Sequence, residues 1–131
     1  MSKEYGIANV VFNPLAGGLL TGKHHAAQPL EGSRFDKNQM YLDRYWHPAD
    51  LEAVETVREI SRRAGRSMVS VALGWLLHHT AIECVILGAS KLEQLDQNLA
   101  AAEEGPLDEE TLTALNEVWQ RLRGATPKYN R

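Results

Sequence analysis

The sequence predicts an α/β fold built on a parallel sheet. Two short β-prone runs, at 10–12 and 84–87, are each followed within a few residues by glycine. Several stretches with apolar residues at helical spacing surround them. The second run leads through Gly88 straight into one of those stretches, which is half of a strand–helix–strand unit.

The elements follow in order. Val10, Val11 and Phe12 form a strand that Asn13-Pro14 stops, and Gly17, Gly18 and Gly22 forbid a long regular element after it, leaving a glycine-rich loop at 13–23. Residues 24–49 mix Gly, Pro, Asn, Asp and aromatics without a period, a length that suits a lid-like functional loop. From Asp50, Leu51, Val54, Val57 and Ile60 lie on one helical stripe, with Arg58, Glu59, Arg62 and Arg63 outside it, and Gly65 ends the helix. Ser67 caps a second helix whose stripe is Val69, Ala72, Leu73, Leu76 and Leu77 and whose end is His78-His79, so 50–79 is a helix pair. Cys84, Val85, Ile86 and Leu87 suit a strand buried on both faces. Leu92, Leu95 and Leu99 open a helix that Gly105-Pro106 stops. Asp108 is placed to cap a last helix, with Leu107 and Leu112 as a hydrophobic staple, Leu115, Val118, Trp119 and Leu122 as its apolar side, Gly124 as its end, and 125–131 as loose surface.

Bulk properties narrow the function classes. A chain of 131 residues with 44% apolar and 24% charged residues is the size and composition of one soluble globular domain. A formal charge of −3 without a basic run argues against a nucleic-acid partner. No segment reaches the ~20 apolar residues of a membrane span, and the N-terminal residues are too polar for a secretory signal. Cys84 is the one cysteine, which excludes an intrachain disulfide and suits a reducing cytoplasm.

Two segments carry candidate chemistry. In NPLAGGLLTGK, residues 13–23, glycines past a strand let backbone N–H groups approach an anion; the plain alternative is an ordinary turn. In ILGASKLEQLDQN, residues 86–98, Gly88-Ala89-Ser90-Lys91 brings N–H groups, a hydroxyl and an ammonium to a helix start, where a phosphate is stabilised. Gln94, Gln97 and Asn98 fall on one side of that helix and could converge on a base or ribose; the alternative is a capped helix with a solvated polar face. Of the five histidines, His24-His25 and His78-His79 have no metal-site spacing and read as a solvated loop pair and a helix-end pair, so no metal is expected.

Together the strings FNPLAGGLLTGK (12–23) and VILGASKLEQLDQNLAAAEEGPL (85–107), with GSRF, YLDRYW and ALGWLLHH between them, closely resemble the aldo-keto reductases, in the branch of the aflatoxin aldehyde and succinic semialdehyde reductases. The resemblance implies the C-terminal part of a (β/α)8 TIM barrel: strand 7 and a cofactor loop at 9–23, a lid at 24–49, the helix pair, strand 8 with an adenosine-phosphate site at 84–101, and a C-terminal helix and tail at 108–131. It implies NADPH as cofactor. Phe12 would stack on the nicotinamide where the family usually has Tyr, and Asn13, Pro14, Leu15, Ala16, Gly17, Gly18, Leu19, Leu20, Thr21, Gly22 and Lys23 would wrap the pyrophosphate, with Arg34 a further contact. Gly88, Ala89, Ser90 and Lys91 would hold the 2′-phosphate, and Gln94, Gln97 and Asn98 the adenosine. Tyr41, Arg44 and Arg131 would meet the substrate; the alternatives are loop packing for Tyr41 and a frayed end for Arg131.

The family's Asp, Tyr, Lys and His catalytic set sits on early strands that nothing in this chain resembles, so no catalytic residue is expected here. A whole barrel takes ~250 residues, and the chain is expected to be a fragment, a split subunit or a truncated form. By itself it is expected to be inactive, with exposed strand edges and apolar helix faces. The implied activity is NADPH-dependent reduction of aldehydes or ketones, completed by an N-terminal barrel half or a homo-oligomer. The alternative function is a non-catalytic nucleotide-binding or regulatory module of the same fold, like the potassium-channel β-subunits.

Overall fold

The computed structural model describes residues 2–25 and 28–123. Gly124, the tail and Arg131 therefore lie outside the described residues. After a four-residue helix α1 (Ser2–Tyr5) the order is β1 (Val10–Phe12), a 3-10 segment η1 (Ala16–Thr21), α2 (Gln39–Tyr45), α3 (Pro48–Arg63), α4 (Met68–His79), β2 (Cys84–Ile86), α5 (Leu92–Glu103) and α6 (Glu109–Arg123). The two strands pair in parallel, as expected, with Val10 beside Cys84, Val11 beside Val85 and Phe12 beside Ile86. Asn9 clamps the start of the sheet: its Nδ2 donates to the Ala81 carbonyl at 2.7 Å and its own carbonyl accepts from Glu83 and Cys84.

Local chemistry sets the helix ends. Beyond α3, Gly65 takes φ +65°, and the N–H groups of Gly65 and Arg66 bond back to Arg62 and Ser61, the paired arrangement that satisfies a helix's last carbonyls. Ser67 Oγ accepts the Ser70 N–H at 3.0 Å and starts α4. Asp108 Oδ1 accepts the Thr111 N–H at 2.8 Å and starts α6; these bonds hold its carboxyl below the usual carboxylate range. Arg66 ties the α3–α4 turn to the α5–α6 turn by donating to Ser70 Oγ, Glu104 and the carbonyls of Gly105 and Pro106, all at 2.9–3.0 Å.

The core lies where α3 packs on α6 and α4, built from Val54, Val57, Ile60, Met68, Val71, Leu107, Leu115 and Val118. Leu19 of η1 and Phe35 join it, so the glycine loop and the long connection are anchored in the same apolar cluster.

Four expectations change. The connection at 24–49 is no structureless lid: it holds α2, capped by Asn38, and buries His24 and Phe35. α4 is apolar on nearly every side, so periodicity could not choose its inner face; Met68, Val71, Leu73 and Gly74 are buried, while Val69, Ala72, Leu76 and Leu77 are only half-buried. On α5 the leucine stripe is outside: Leu92, Leu95 and Leu99 are exposed, and Asn98 and Ala101 face inward. The strands are likewise uncovered, with Val10, Phe12, Cys84 and Ile86 exposed, so β2 is not buried on both faces. Paired parallel residues share a sheet face, so the exposed Val10, Phe12, Cys84 and Ile86 lie together on one face of the sheet.

Candidate functional site

Both candidate loops leave the C-terminal ends of paired parallel strands, and the strand register therefore brings them to the same edge of the molecule. At the first, the chain turns immediately after Phe12, whose ring is 75% exposed. Asn13 adopts a left-handed φ of 59°; its Oδ1 accepts the Gly17 N–H at 2.7 Å and its Nδ2 donates to the Tyr45 hydroxyl. The Leu15 carbonyl accepts from Gly18 and Leu20, and the Asn13 carbonyl from Ala16. The N–H groups of Ala16, Gly17, Gly18 and Leu20 are thus satisfied inside the loop. Pro14, Leu15 and Thr21 are half-buried, and the Thr21 hydroxyl donates to the Gly18 carbonyl at 2.7 Å.

Glycine at 17 is favoured by its φ of +68°, and a Cβ there would stand a tight 3.0 Å from Tyr41 Cε1. Tyr41 packs on the loop and meets Phe35 and Tyr45 ring to ring, which favours the loop-packing alternative for it. The far end of the loop is fixed by Arg58 of α3, which donates from Nη1 to the Gly22 carbonyl and from Nη2 to the His24 carbonyl, each at 2.7 Å. Its place outside the α3 stripe reads as solvent-facing, and nothing in the sequence marks this role.

His24 corrects the expectation of a solvated pair. It is 1% exposed, edge-on to Phe35 and Trp46 with ring centroids 5.1 and 5.7 Å away, and neither ring nitrogen has a hydrogen-bond partner. Desolvation, then the nearby Lys23 and His25 charges, hold its pKa below the usual 6.5, so the ring is neutral at pH 7. His25 is exposed. At the other pair, His79 Nε2 accepts the Leu107 N–H at 3.0 Å, a link between helix ends.

At the second loop, Gly88, Ala89, Ser90 and Lys91 are exposed and Lys91 leads into α5 in extended conformation. Gln94 does not reach outward: its Oε1 accepts both the Ser90 N–H at 3.0 Å and the Ser90 hydroxyl at 3.1 Å. Gln97 is exposed, whereas Asn98 is 5% exposed and turned into the fold, so the three amides do not converge. Arg34 approaches the second segment: a Cβ at Gly88 would stand 3.9 Å from its Nη2. Lys23 lies beside Gly18 in the same way, with Nζ 3.8 Å from a Cβ built there. Arg44 is exposed, its guanidinium 5.8 Å from the Tyr45 ring centre. A hollow of about 150 Å³ between α3 and α6, lined by Ile60, Arg63, Asp108 and Thr111, contains none of these residues. Among the described residues there is no cluster of metal-ligating side chains, and no helix is long and apolar enough to cross a membrane.

The model of the Aldo/keto reductase family matches residues 1–120. The chain belongs to that family. It is 40% identical to human aldo-keto reductase family 7 member A3 and 39% identical to rat aflatoxin B1 aldehyde reductase member 2, in each case over 98% of this chain. It spans only 44% and 39% of the lengths of those relatives. Among solved structures, the apo form of the aldo-keto reductase AKR11C1 from Bacillus halodurans superimposes with a TM-score of 0.59 at 26% identity, covering 89% of this chain and 36% of that one. The fold is accordingly an α/β fold of the TIM-barrel aldo-keto reductases.

Proposed function

We propose that this chain is the NADP-binding, C-terminal portion of an oxidoreductase that reduces aldehydes or ketones to alcohols with NADPH. The observation that carries the reading is the convergence of two glycine-bearing loops at the C-terminal ends of adjacent parallel strands, the place where α/β sheets bind ligands. Lys23, Arg34 and Lys91 supply cations along that edge. The residues present fit a dinucleotide phosphate. Gly18 and Gly88 leave open the positions that side chains would fill, with Lys23 and Arg34 at their margins.

In this reading strand 7 and the cofactor loop occupy 9–23, strand 8 and the adenosine-phosphate site 84–101. The exposed Phe12 ring offers a face to the nicotinamide, the 13–23 loop with Lys23 holds the pyrophosphate, and Arg34 bridges toward Gly88. Ser90 and Lys91 take the 2′-phosphate once Gln94 releases the Ser90 donors, and Gln94 and Gln97 then turn to the adenosine; the buried Asn98 positions the helix. Tyr41 shapes the substrate edge by packing on Gly17, with Arg44 exposed near it, and Arg131 is reserved for a substrate carboxylate. When bound, the cofactor supplies the hydride. Protonation of the carbonyl oxygen falls to the Asp, Tyr, Lys and His set of the earlier strands, so turnover requires the N-terminal half of the barrel. The uncovered Val10–Phe12 and Cys84–Ile86 strands and the α5 leucines support a partner of that kind. The exposed Cys84 thiol suits the cytoplasm.

Titration of NADPH and NADH into the chain, followed by fluorescence of its three tryptophans, tests the reading. Tighter binding of NADPH is expected, with no NADPH oxidation on adding an aromatic aldehyde until residues corresponding to the first six strands are supplied. Absence of binding refutes the dinucleotide site. Binding that never leads to turnover, even with the complement, supports instead a non-catalytic nucleotide-binding module.

A further inference from the structure

Among the described residues His24 is the imidazole whose two ring nitrogens are both buried without a partner, and it sits against the glycine loop. A neutral imidazole carries one donor and one acceptor, and burying both unmatched is a cost that a packing role does not require, since a phenyl ring would fill the same space between Phe35 and Trp46. Its Nε2 is turned toward Gly18. A Cβ on Gly18 would lie 3.9 Å from that nitrogen and 3.6 and 3.8 Å from Cε and Nζ of Lys23. Gly18 holds φ +110°, a conformation closed to other residues, so the space stays free of a side chain. The buried imidazole nitrogen and the Lys23 ammonium thus both border the side of Gly18 that carries no side chain.

We propose that His24 is a proton-linked anion contact of the glycine loop: when a pyrophosphate seats over Gly18, the imidazole takes one proton from solvent and donates from Nε2 to a phosphate oxygen beside Lys23. This rests on the dinucleotide reading above and adds a residue to it. The charged groups around the ring are Lys23 and His25 on its own segment and the Arg58 guanidinium from α3, which is paired with Glu55. From the other elements Phe35 and Trp46 present rings, and η1 presents backbone. In the free chain these surroundings oppose a positive imidazole; a dianionic ligand reverses the sign of the local field. The step is a proton transfer alone: an N–H bond forms on the imidazole as the bond to hydrogen in hydronium or a buffer acid breaks. Arg58 keeps the ring in place by holding the His24 carbonyl.

The test is calorimetry with ADP-ribose, whose pyrophosphate does not titrate near neutrality, in two buffers of different ionisation enthalpy. Wild type is expected to take up a net fraction of a proton near pH ~6.5 and to bind several-fold more tightly at pH ~6 than at pH ~8. His24→Phe should bind about tenfold more weakly, the scale of one charge-assisted hydrogen bond, and lose the pH dependence. His24→Gln keeps a donor without a titrating group; it should bind between the two and without pH dependence, and it serves if the phenylalanine variant does not fold. Wild-type binding with no proton uptake, or variants that bind as tightly as wild type with the same pH profile, overturns the proposal. If wild type binds no ADP-ribose at any pH, the dinucleotide reading itself has failed.

Discussion

Replacing Arg58 with methionine tests whether the glycine loop is held from α3. Methionine keeps the apolar stem and removes the guanidinium, leaving the Gly22 and His24 carbonyls without their donors at 2.7 Å. A hydrogen bond from a charged group contributes ~1.5–3 kcal/mol. Gly22 is half-buried, so water can rehydrate part of the loss, and the low end of the range applies to each bond. The Glu55 pair contributes little, because such surface pairs at i,i+3 contribute about 0.5 kcal/mol or less. The expected loss is ~3 kcal/mol, or ~10 °C in Tm for a domain of this size. Urea denaturation measures the first, and hydrogen exchange should show faster exchange confined to the loop around residues 16–25. Arg58→Lys, able to reach one carbonyl but not both, should fall between. A loss under ~0.5 kcal/mol with unchanged exchange would refute the view that α3 fixes the loop.

Three further outcomes follow from the same contacts. Arg66→Ala removes donors from Glu104, Ser70 and the Gly105 and Pro106 carbonyls, with a side chain 14% exposed, and should lower stability by ~2–3 kcal/mol in urea melts without altering nucleotide affinity. Stability should fall as pH drops below 6.5: the His24 pKa is depressed in the folded chain, the unfolded chain binds the extra proton, and the loss runs from 6.5 down to the depressed value. Melts at several pH values should show that slope in wild type and a flatter one in His24→Phe. Finally, the exposed Leu92, Leu95 and Leu99 should make the chain self-associate with concentration in sedimentation runs, and Leu95→Glu together with Leu99→Lys should reduce it.

Much of the framework was legible because it is written in local chemistry. Ser67 and Asp108 announce helix starts by offering an oxygen to an N–H three residues on, and Gly65 announces an end by its left-handed φ. Parallel pairing of the two strands followed from their glycine turns and the helix after the second. Inner faces were less legible. α4 is apolar on nearly every side, and on α5 the leucines that mark a buried stripe face outward while Asn98 and Ala101 pack inside. A pattern of hydrophobicity states which residues are apolar, not which of them the rest of the fold covers. The α2 helix is not legible in the sequence because its seven residues, Gln39–Tyr45, span too few turns for a period to emerge.

The site was legible as composition and opaque as hydrogen bonding, and the difference bears on how it works. Gly17 and Ser90 look like free donors in the sequence, yet each is closed by an amide oxygen, Asn13 Oδ1 and Gln94 Oε1. Both closing groups lie four residues from the donors they satisfy, a distance over which glycine loops and helix starts fold back, so sequence alone could not distinguish a donor offered from a donor taken. A phosphate oxygen displacing either amide exchanges a neutral acceptor for a charged one, and charge-assisted bonds are roughly twice as strong. The exchange also frees the amide to turn elsewhere, which in the proposed site means toward the nucleotide for Gln94. Under the proposed reading the self-closed loops would be the resting form of a phosphate site, satisfying their donors without a ligand and yielding them to one that carries charge.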